Sequence, residues 1–332
     1  MRILHIVPEF EEGGVERHVL HLSRELIGMG HEVGLATAGG KLVPQLSEEV
    51  RVLRLPVHRK DPFTGLWCVA RLAMERGRWD LLHAHSRVPA WIAWWTSALT
   101  GVPWIMTAHA QYSLNMGIAP LRHARGVICV SDAVMRHLEG RLPPRARVIL
   151  NGLRTPSAHW EAKPFSQDPR FLFVGRLTEA KGLDVALRAL AGLRHRAWTL
   201  DVVGDGAQRG EWEALVAELG LADRVSFHGF RDDTDEWMAR AGCLLFPSRQ
   251  EGMGLVVMEA LSVGLPVLAS DIEPLRPLAS GPLIPPGDVP AWREAILRVL
   301  DDGPASPLSI DGLPTIADMA RQTAAFYEDV LR

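Results

Sequence analysis

The sequence predicts an α/β chain of two doubly wound halves, each a parallel sheet flanked by helices. Three observations carry this reading. Short apolar runs alternate with helix-length amphipathic stretches along nearly the whole chain, the pattern of β-α-β units. The alternation is interrupted once, by TPSAHWEAKPFSQDPR at 155–170, which is rich in Pro, Ser and Lys and lacks periodicity, as an interdomain linker does. The length of 332 residues suits two domains better than one.

The elements follow in order. ILHIV (3–7) reads as a first buried strand, and Val15 to Met29 has helical periodicity that stops at Gly30. HEVGLAT (31–37) and VRVLRLP (50–56) are the next strands. Trp79–Ala84, WIMTAHA (104–110), GVICVS (126–131) and RVILN (147–151) complete the first set. After the linker the pattern restarts with FLFVGR (171–176), LDVVGDG (200–206), VSFHGF (225–230), CLLFPS (243–248) and PVLAS (266–270). The expected division is a Rossmann-like domain over 1–154, a linker over 155–169, a second Rossmann-like domain over 170–312, and a C-terminal helix over 313–332. Two such domains would face each other across a cleft, with ligands beyond the carboxyl ends of the strands. The uncharged stretch Val88 to Ala108 is long enough to span a bilayer. Thr100-Gly101-Val102-Pro103 breaks it into a helix-like half and a strand-like half.

Composition narrows the class. The chain is 47% hydrophobic and 23% charged, values of a globular protein with a sizeable core. Cys68, Cys129 and Cys243 lie far apart with no C-x-x-C pair, which argues against a disulfide framework or zinc site and suits a reducing cytosol. The first apolar run ends at Pro8 and is followed by acids, too short for a signal peptide. The expected location is therefore cytoplasmic. Charge is uneven: 1–165 carries 20 basic and 14 acidic residues, net +6, and 166–332 carries 16 and 25, net −9. Either the first half meets something anionic, or domain charges simply scatter this much.

The segment FPSRQEGMGLVVMEAL (246–261) holds two glutamates, Glu251 and Glu259, eight residues apart. It follows a strand and opens a helix, whose N-terminus offers unpaired amides and partial positive charge. Gly252 and Gly254 let the backbone approach a ligand, so the turn suits phosphate or sugar oxygens. In FVGRLTEAKG (173–182), Arg176 leaves a strand end and Lys181 precedes Gly182 before a helix. Two such cations can clamp a diphosphate, or they are solvated surface charges. Gly13-Gly14 sits where the first helix begins and again suits a phosphate. It is not G-x-G-x-x-G, so a dinucleotide reading is poor. His83, His85 and His109 follow strands. His83 reads as a packed histidine, whereas His109, between small alanines, has room to meet a sugar hydroxyl. No H-x-x-x-H set stands in the chain, so no metal site is expected.

Together, GGVERHVLHLSRELIGMGHEV, DLLHAHS, TAHA, VILNGL, VGRLTEAKGLDVALRAL, VVGDG and FPSRQEGMGLVVMEALSVGLPVLASD resemble the family 4 retaining glycosyltransferases of GT-B fold. The PPGD turn (285–288) and the AFYEDVL helix are similar too. The resemblance implies a second domain that holds a nucleoside-diphosphate sugar and a first domain that takes the acceptor. It implies that Arg176 and Lys181 hold the diphosphate, Glu259 the ribose, and Glu251 the transferred sugar. The amides of Gly252, Met253, Gly254, Leu255 and Val256 would contact sugar and phosphate. Gly13 and Gly14 would approach the distal phosphate, and His109 the sugar ring. Asn151-Gly152 would shape the cleft, and the C-terminal helix would cross back onto the first domain. The expected catalytic set is His109, Glu251, Arg176 and Lys181. Retention would follow from a front-face mechanism without metal or other cofactor. The chain is short for this family, and Ala279 to Pro314 looks compressed.

The implied activity is sugar transfer to a glycan or lipid-linked acceptor in cell-envelope polysaccharide or lipopolysaccharide synthesis. A GT-B sugar-nucleotide epimerase and a non-catalytic sugar-nucleotide-binding protein remain as alternatives, and no nucleic acid is expected as partner. Trp67, Trp91, Trp94, Trp95 and Trp104 in the basic half either dock on the anionic inner face of the cell membrane or fill the core, as the helical spacing of three of them suggests.

Overall fold

The computed structural model describes residues 1–11, 13–161, 169–279, 281–304 and 312–332. Glu12, about half of the expected linker (162–168), and Ser280 with 305–311 of the compressed stretch lie outside the described residues. The chain forms two compact units, one of Met1–Gly152 with Pro314–Arg332 and one of Leu153–Leu313.

The first unit holds strands β1 (Arg2–Ile6), β2 (Glu32–Thr37), β3 (Arg51–Arg54), β4 (Leu81–Ala84), β5 (Trp104–Ala108), β6 (Gly126–Cys129) and β7 (Ala146–Val148). They make one sheet in the order β3-β2-β1-β4-β5-β6-β7, and every pairing is parallel. Parallel neighbours require crossovers, supplied by α1 (Gly14–Gly28), α2 (Pro62–Ala73), α3 (Arg87–Thr100) and α4 (Asp132–His137). Local sequence explains several helix starts. Asp61 accepts the Thr64 amide at 2.8 Å with Pro62 in the first turn of α2. Ser131 caps α4 through the Val134 amide. The long uncharged stretch divides as its breakers require: α3 ends on Gly101 at φ 77°, and β5 follows. Among the described residues no helix is long and apolar enough to cross a membrane.

Helix α10 (Ile316–Leu331) belongs to this unit. A reciprocal capping box of Thr315 and Asp318 starts it. Its Phe326, Tyr327 and Val330 are fully buried in the cluster that holds Ile3, Leu22 and Ile105. The strand expected over 147–151 stops at Val148. Beyond it Gly152 lies against the start of α10, where a Cβ would stand 2.4 Å from Ile316 Cα. Close backbone contact, rather than pairing, governs that segment.

The second unit holds β8 (Arg170–Val174), β9 (Thr199–Val203), β10 (Val225–Gly229), β11 (Cys243–Phe246) and β12 (Val267–Ala269), in the order β10-β9-β8-β11-β12. Helices α5 (Leu183–Ala191), α6 (Arg209–Glu218), α7 (Thr234–Arg240), α8 (Leu255–Val263) and α9 (Val289–Asp302) complete it. Alternate residues of β8 feed opposite faces. Phe171 and Phe173 join the cluster with Trp198 and Trp292, and Leu172 and Val174 join the one with Phe246 and Leu261. This is the doubly wound arrangement the sequence predicts.

Candidate functional site

In the second unit two loops leave the carboxyl ends of adjacent strands. The first leaves β8, passes Arg176, and makes a single tight turn over Glu179–Lys181 before α5. The second leaves β11 and runs through Ser248 and Glu251 into α8. Three contacts bind them together. Gly182, at φ 69°, packs on the Pro247 carbonyl so tightly that a Cβ would come within 2.1 Å of the oxygen. Arg249 grips Asp184 with both fork nitrogens, at 2.8 and 2.7 Å, and donates to the Glu179 carbonyl at 2.7 Å. Lys181 Nζ meets Glu251 Oε1 at 2.6 Å, and the Ser248 hydroxyl donates to the same oxygen at 2.8 Å.

The Glu251 side chain is only 9% exposed and that of Lys181 26%. A nearly buried carboxylate must be paired and hydrogen-bonded, and here it is both. Arg176 is exposed, and its side chain meets no partner among the described residues. Gly252, Met253 and Gly254 are buried, and Leu255 and Val256, in the first turn of α8, are half-buried. Gly254 caps this helix at φ 80°, ψ 49°, a left-handed conformation that glycine adopts without strain. A Cβ there would also strike Leu275 at 2.3 Å. The amides of Leu255 and Val256 precede the first intrahelical bond and so point out of the helix end. Glu259 is half-buried one turn further along α8. The neighbouring strand end is equally tight, since a Cβ on Gly204 would lie 2.0 Å from the Gly175 carbonyl. The structure thus brings Lys181, Glu251 and the α8 N-terminus together, with Arg176 at the carboxyl end of the adjacent strand.

In the first unit Gly13 caps α1 in an extended conformation and Gly14 opens it, directly after β1. His83, as the sequence suggests, is fully buried and satisfied: one ring nitrogen meets Tyr327 and the other Thr107, each at 2.7 Å. His109 is not the isolated histidine that its alanine neighbours suggest. Its Nε2 lies 3.0 Å from His85 Nδ1, and its ring meets that of His18 edge-on at 4.9 Å. His85 Nε2 in turn lies 3.0 Å from His5 Nδ1. Five histidines therefore converge from β1, α1 and the ends of β4 and β5. The expectation of no metal-ligand set rests on short-range spacing, which does not reveal a cluster that spans 104 residues of chain, from His5 to His109.

Burial holds these imidazoles neutral. It pushes His5 to about 3, helped by His18, and His18 to about 4 against a raising contribution from Asn151. His83, His85 and His109 are likewise held well below the usual range, chiefly by burial. Ser86, which follows His85, sits at φ 125°, a backbone region that costs about 1–3 kcal/mol for a non-glycine residue. The tryptophans divide. Trp104 is fully buried, and Trp91, Trp94 and Trp95 are half-buried, with Trp91 packed against both neighbours. Trp67 is half-exposed on α2 beside Phe63 and Leu66.

A doubly wound pair of units with a glycine-turned helix start beside a lysine–glutamate pair suits a ligand that carries phosphate. Comparison with known proteins supplies the class. Residues 12–155 match the Glycosyltransferase Family 4 profile and 168–302 that of Glycosyl transferases group 1. The 2-deoxystreptamine glucosyltransferase of Streptomyces kanamyceticus is 31% identical, over 86% of this chain and 89% of its own. The 2-deoxystreptamine N-acetyl-D-glucosaminyltransferase of Streptomyces fradiae is 29% identical, over 89% and 87%. Among solved structures, Anabaena HepE in complex with UDP and glucose superposes with a TM-score of 0.85 at 20% identity, over 98% of this chain and 99% of that one. The chain belongs to the family 4 glycosyltransferases and has their two-unit GT-B fold.

Proposed function

We propose that this glycosyltransferase moves a sugar from a nucleoside-diphosphate sugar to a glycan or lipid-linked acceptor, with retention at the anomeric carbon and without metal. The observation that carries the donor reading is the Lys181–Glu251 pair set against the α8 N-terminus. It gathers a cation, a carboxylate and outward-pointing amides where two strand-end loops meet. In this reading Arg176 and Lys181 hold the diphosphate, the amides from Gly252 to Val256 meet phosphate and sugar oxygens, Glu251 accepts from a sugar hydroxyl, and Glu259 holds the ribose. From the first unit, His109 is assigned the sugar ring, and Gly13 and Gly14 the distal phosphate.

The chemistry is a same-face exchange. The bond from the anomeric carbon to the diphosphate oxygen breaks as the acceptor oxygen bonds to that carbon. The acceptor proton passes to the departing phosphate oxygen. The two cations and the helix amides offset the negative charge that develops on the diphosphate, which is the role a metal plays elsewhere.

The acceptor reading places the protein at the inner face of the cell membrane, in envelope polysaccharide or lipopolysaccharide synthesis. The net +6 first half and the apolar face of α2 support it. A second reading is favoured by the two Streptomyces relatives named for 2-deoxystreptamine: a small amino polyol as acceptor. An acceptor panel distinguishes the two.

The test of the donor site uses two variants. Glu251→Ala is expected to lose transfer while keeping nucleoside-diphosphate affinity, and Arg176→Ala to lose both, each measured by isothermal titration with UDP and GDP and by donor turnover. Transfer at the normal rate by Glu251→Ala would remove the role given to Glu251.

A further inference from the structure

We propose that His18, His85 and His109 form a binding site in the first unit for one divalent transition-metal ion that imidazole favours, Zn2+ foremost. The three come from different elements: His18 from the start of α1, His85 from the residue after β4, and His109 from the residue after β5. Their ligand nitrogens all lie within 4.8 Å of one another. Tetrahedral zinc, with Zn–N of about 2.0–2.1 Å, sets coordinated nitrogens about 3.4 Å apart. His85 Nδ1 and His109 Nε2, at 3.0 Å, need only part slightly. His18 makes the larger adjustment, by turning its ring.

Three further features point to a cation. Both ring nitrogens of His18 are buried without a partner in hydrogen-bond geometry among the described residues, with Asn151 as its polar neighbour. Buried polar atoms are rarely left so, and a metal ion supplies what that ring lacks. His85 already has the outer contact that a metal-bound imidazole makes: with its Nε2–H donating to His5 Nδ1 at 3.0 Å, its Nδ1 lone pair faces the site. His109 is only half-buried, so a water reaches the fourth position, completing the three-histidine-plus-water set that zinc adopts.

The other convergent triad, His5, His83 and His85, is fully buried, and both nitrogens of His83 are held by Tyr327 and Thr107. His83 would have to give up one of these hydrogen bonds to bind an ion. The proposed site lies outside the donor machinery of the second unit and is not needed for the transfer. Resting on the role given to His109 above, an ion that takes its nitrogen would slow the reaction.

The experiment uses the full chain stripped with a chelator and titrated with Zn2+ by calorimetry. Co2+ serves as a spectroscopic probe, because four-coordinate Co2+ has an intense visible band. The expected result is one ion per chain, with the band lost in His18→Ala and in His109→Ala. His5→Gln, which removes only the outer contact, is expected to weaken binding about 10–100-fold. His83→Gln, which leaves the three ligands in place, is expected to bind as the parent does. Circular dichroism confirms that each variant is folded. Absence of saturable binding, equal affinity in the parent and His18→Ala, or loss in His83→Gln with His18→Ala intact each overturns the proposal. These binding readouts are independent of donor turnover, so failure of the transferase reading leaves them interpretable. Zinc that binds one-to-one yet leaves transfer unchanged keeps the site and removes the role given to His109.

Discussion

Replacing Gly182 with alanine tests how the loops after β8 and β11 are held together. Gly182 has φ 69°, and its Cβ would sit 2.1 Å from the Pro247 carbonyl oxygen and 2.9 Å from the Pro247 carbonyl carbon. Both are backbone atoms, so no side chain can swing aside. A left-handed conformation costs a residue with a Cβ about 1–2 kcal/mol, and forcing a methyl into packed structure adds about 1–3 kcal/mol. The loss of chain freedom in the unfolded state returns about 0.4–1 kcal/mol. The middle of these ranges is a destabilisation of about 3 kcal/mol, which for a unit of this size lowers the melting temperature by about 6–12 °C. The same displacement shifts the neighbouring Lys181, to which the proposal gives the diphosphate, so UDP affinity falls with stability. Scanning calorimetry and UDP titration measure the two effects. A Gly182→Ala protein that melts within about 2 °C of the parent and binds UDP equally well would refute this account of the turn.

Three other outcomes are expected. Arg249→Ala removes a half-exposed fork on Asp184 and the Glu179 carbonyl, so stability should change by about 1 kcal/mol or less while turnover falls about 10–100-fold as the two loops lose register; an unchanged rate would show that the tie is idle. With chelator present, His5 and His18 stay neutral in the folded chain down to about 3 and about 4 but titrate near 6.5 when it unfolds. The unfolded state therefore binds the extra protons below pH 6.5, and stability rises with pH across that window and is lost on acidification, by about 3 kcal/mol per pH unit for the two. Urea midpoints at pH 7 and pH 5 check this, and equal midpoints would contradict it. Phe63 is 84% exposed and Trp67 50%. Burying each in a bilayer is worth about 1.5–3 kcal/mol, so Phe63→Ser with Trp67→Ser should weaken co-sedimentation with anionic liposomes at least a hundredfold, and no sedimentation of the parent at low salt would remove the membrane reading.

The strands were legible because each is a short apolar run closed by Gly, Pro or a polar cluster, and all twelve fall within two or three residues of where such runs lie. The two strand-end loops were legible for the same reason: glycine, lysine and glutamate there are close in sequence to the strand ends that carry them. Arg249 and Asp184 were not singled out. Each lies inside a motif that does not mark it as a partner of the other, and only the packing of Gly182 on Pro247 sets them opposite each other. The histidine cluster escaped notice on the same ground. His5 looks like a strand residue and His18 like a helix residue, and it takes the β1-β4-β5 order of the sheet to bring them beside His85 and His109. The tryptophans misled in part because helical spacing shows that a face is shared without showing what covers it.

Tyr327 closes over His83, and Phe326 lies where a Cβ on Gly126 would come within 2.7 Å of its ring. Both residues are synthesised after the whole of the second unit. When the chain has emerged from the ribosome as far as Gly152, the core of the first sheet still lacks two aromatic side chains. The unit begun first is finished last, and until then the part of its core that Phe326, Tyr327 and Val330 cover lies open.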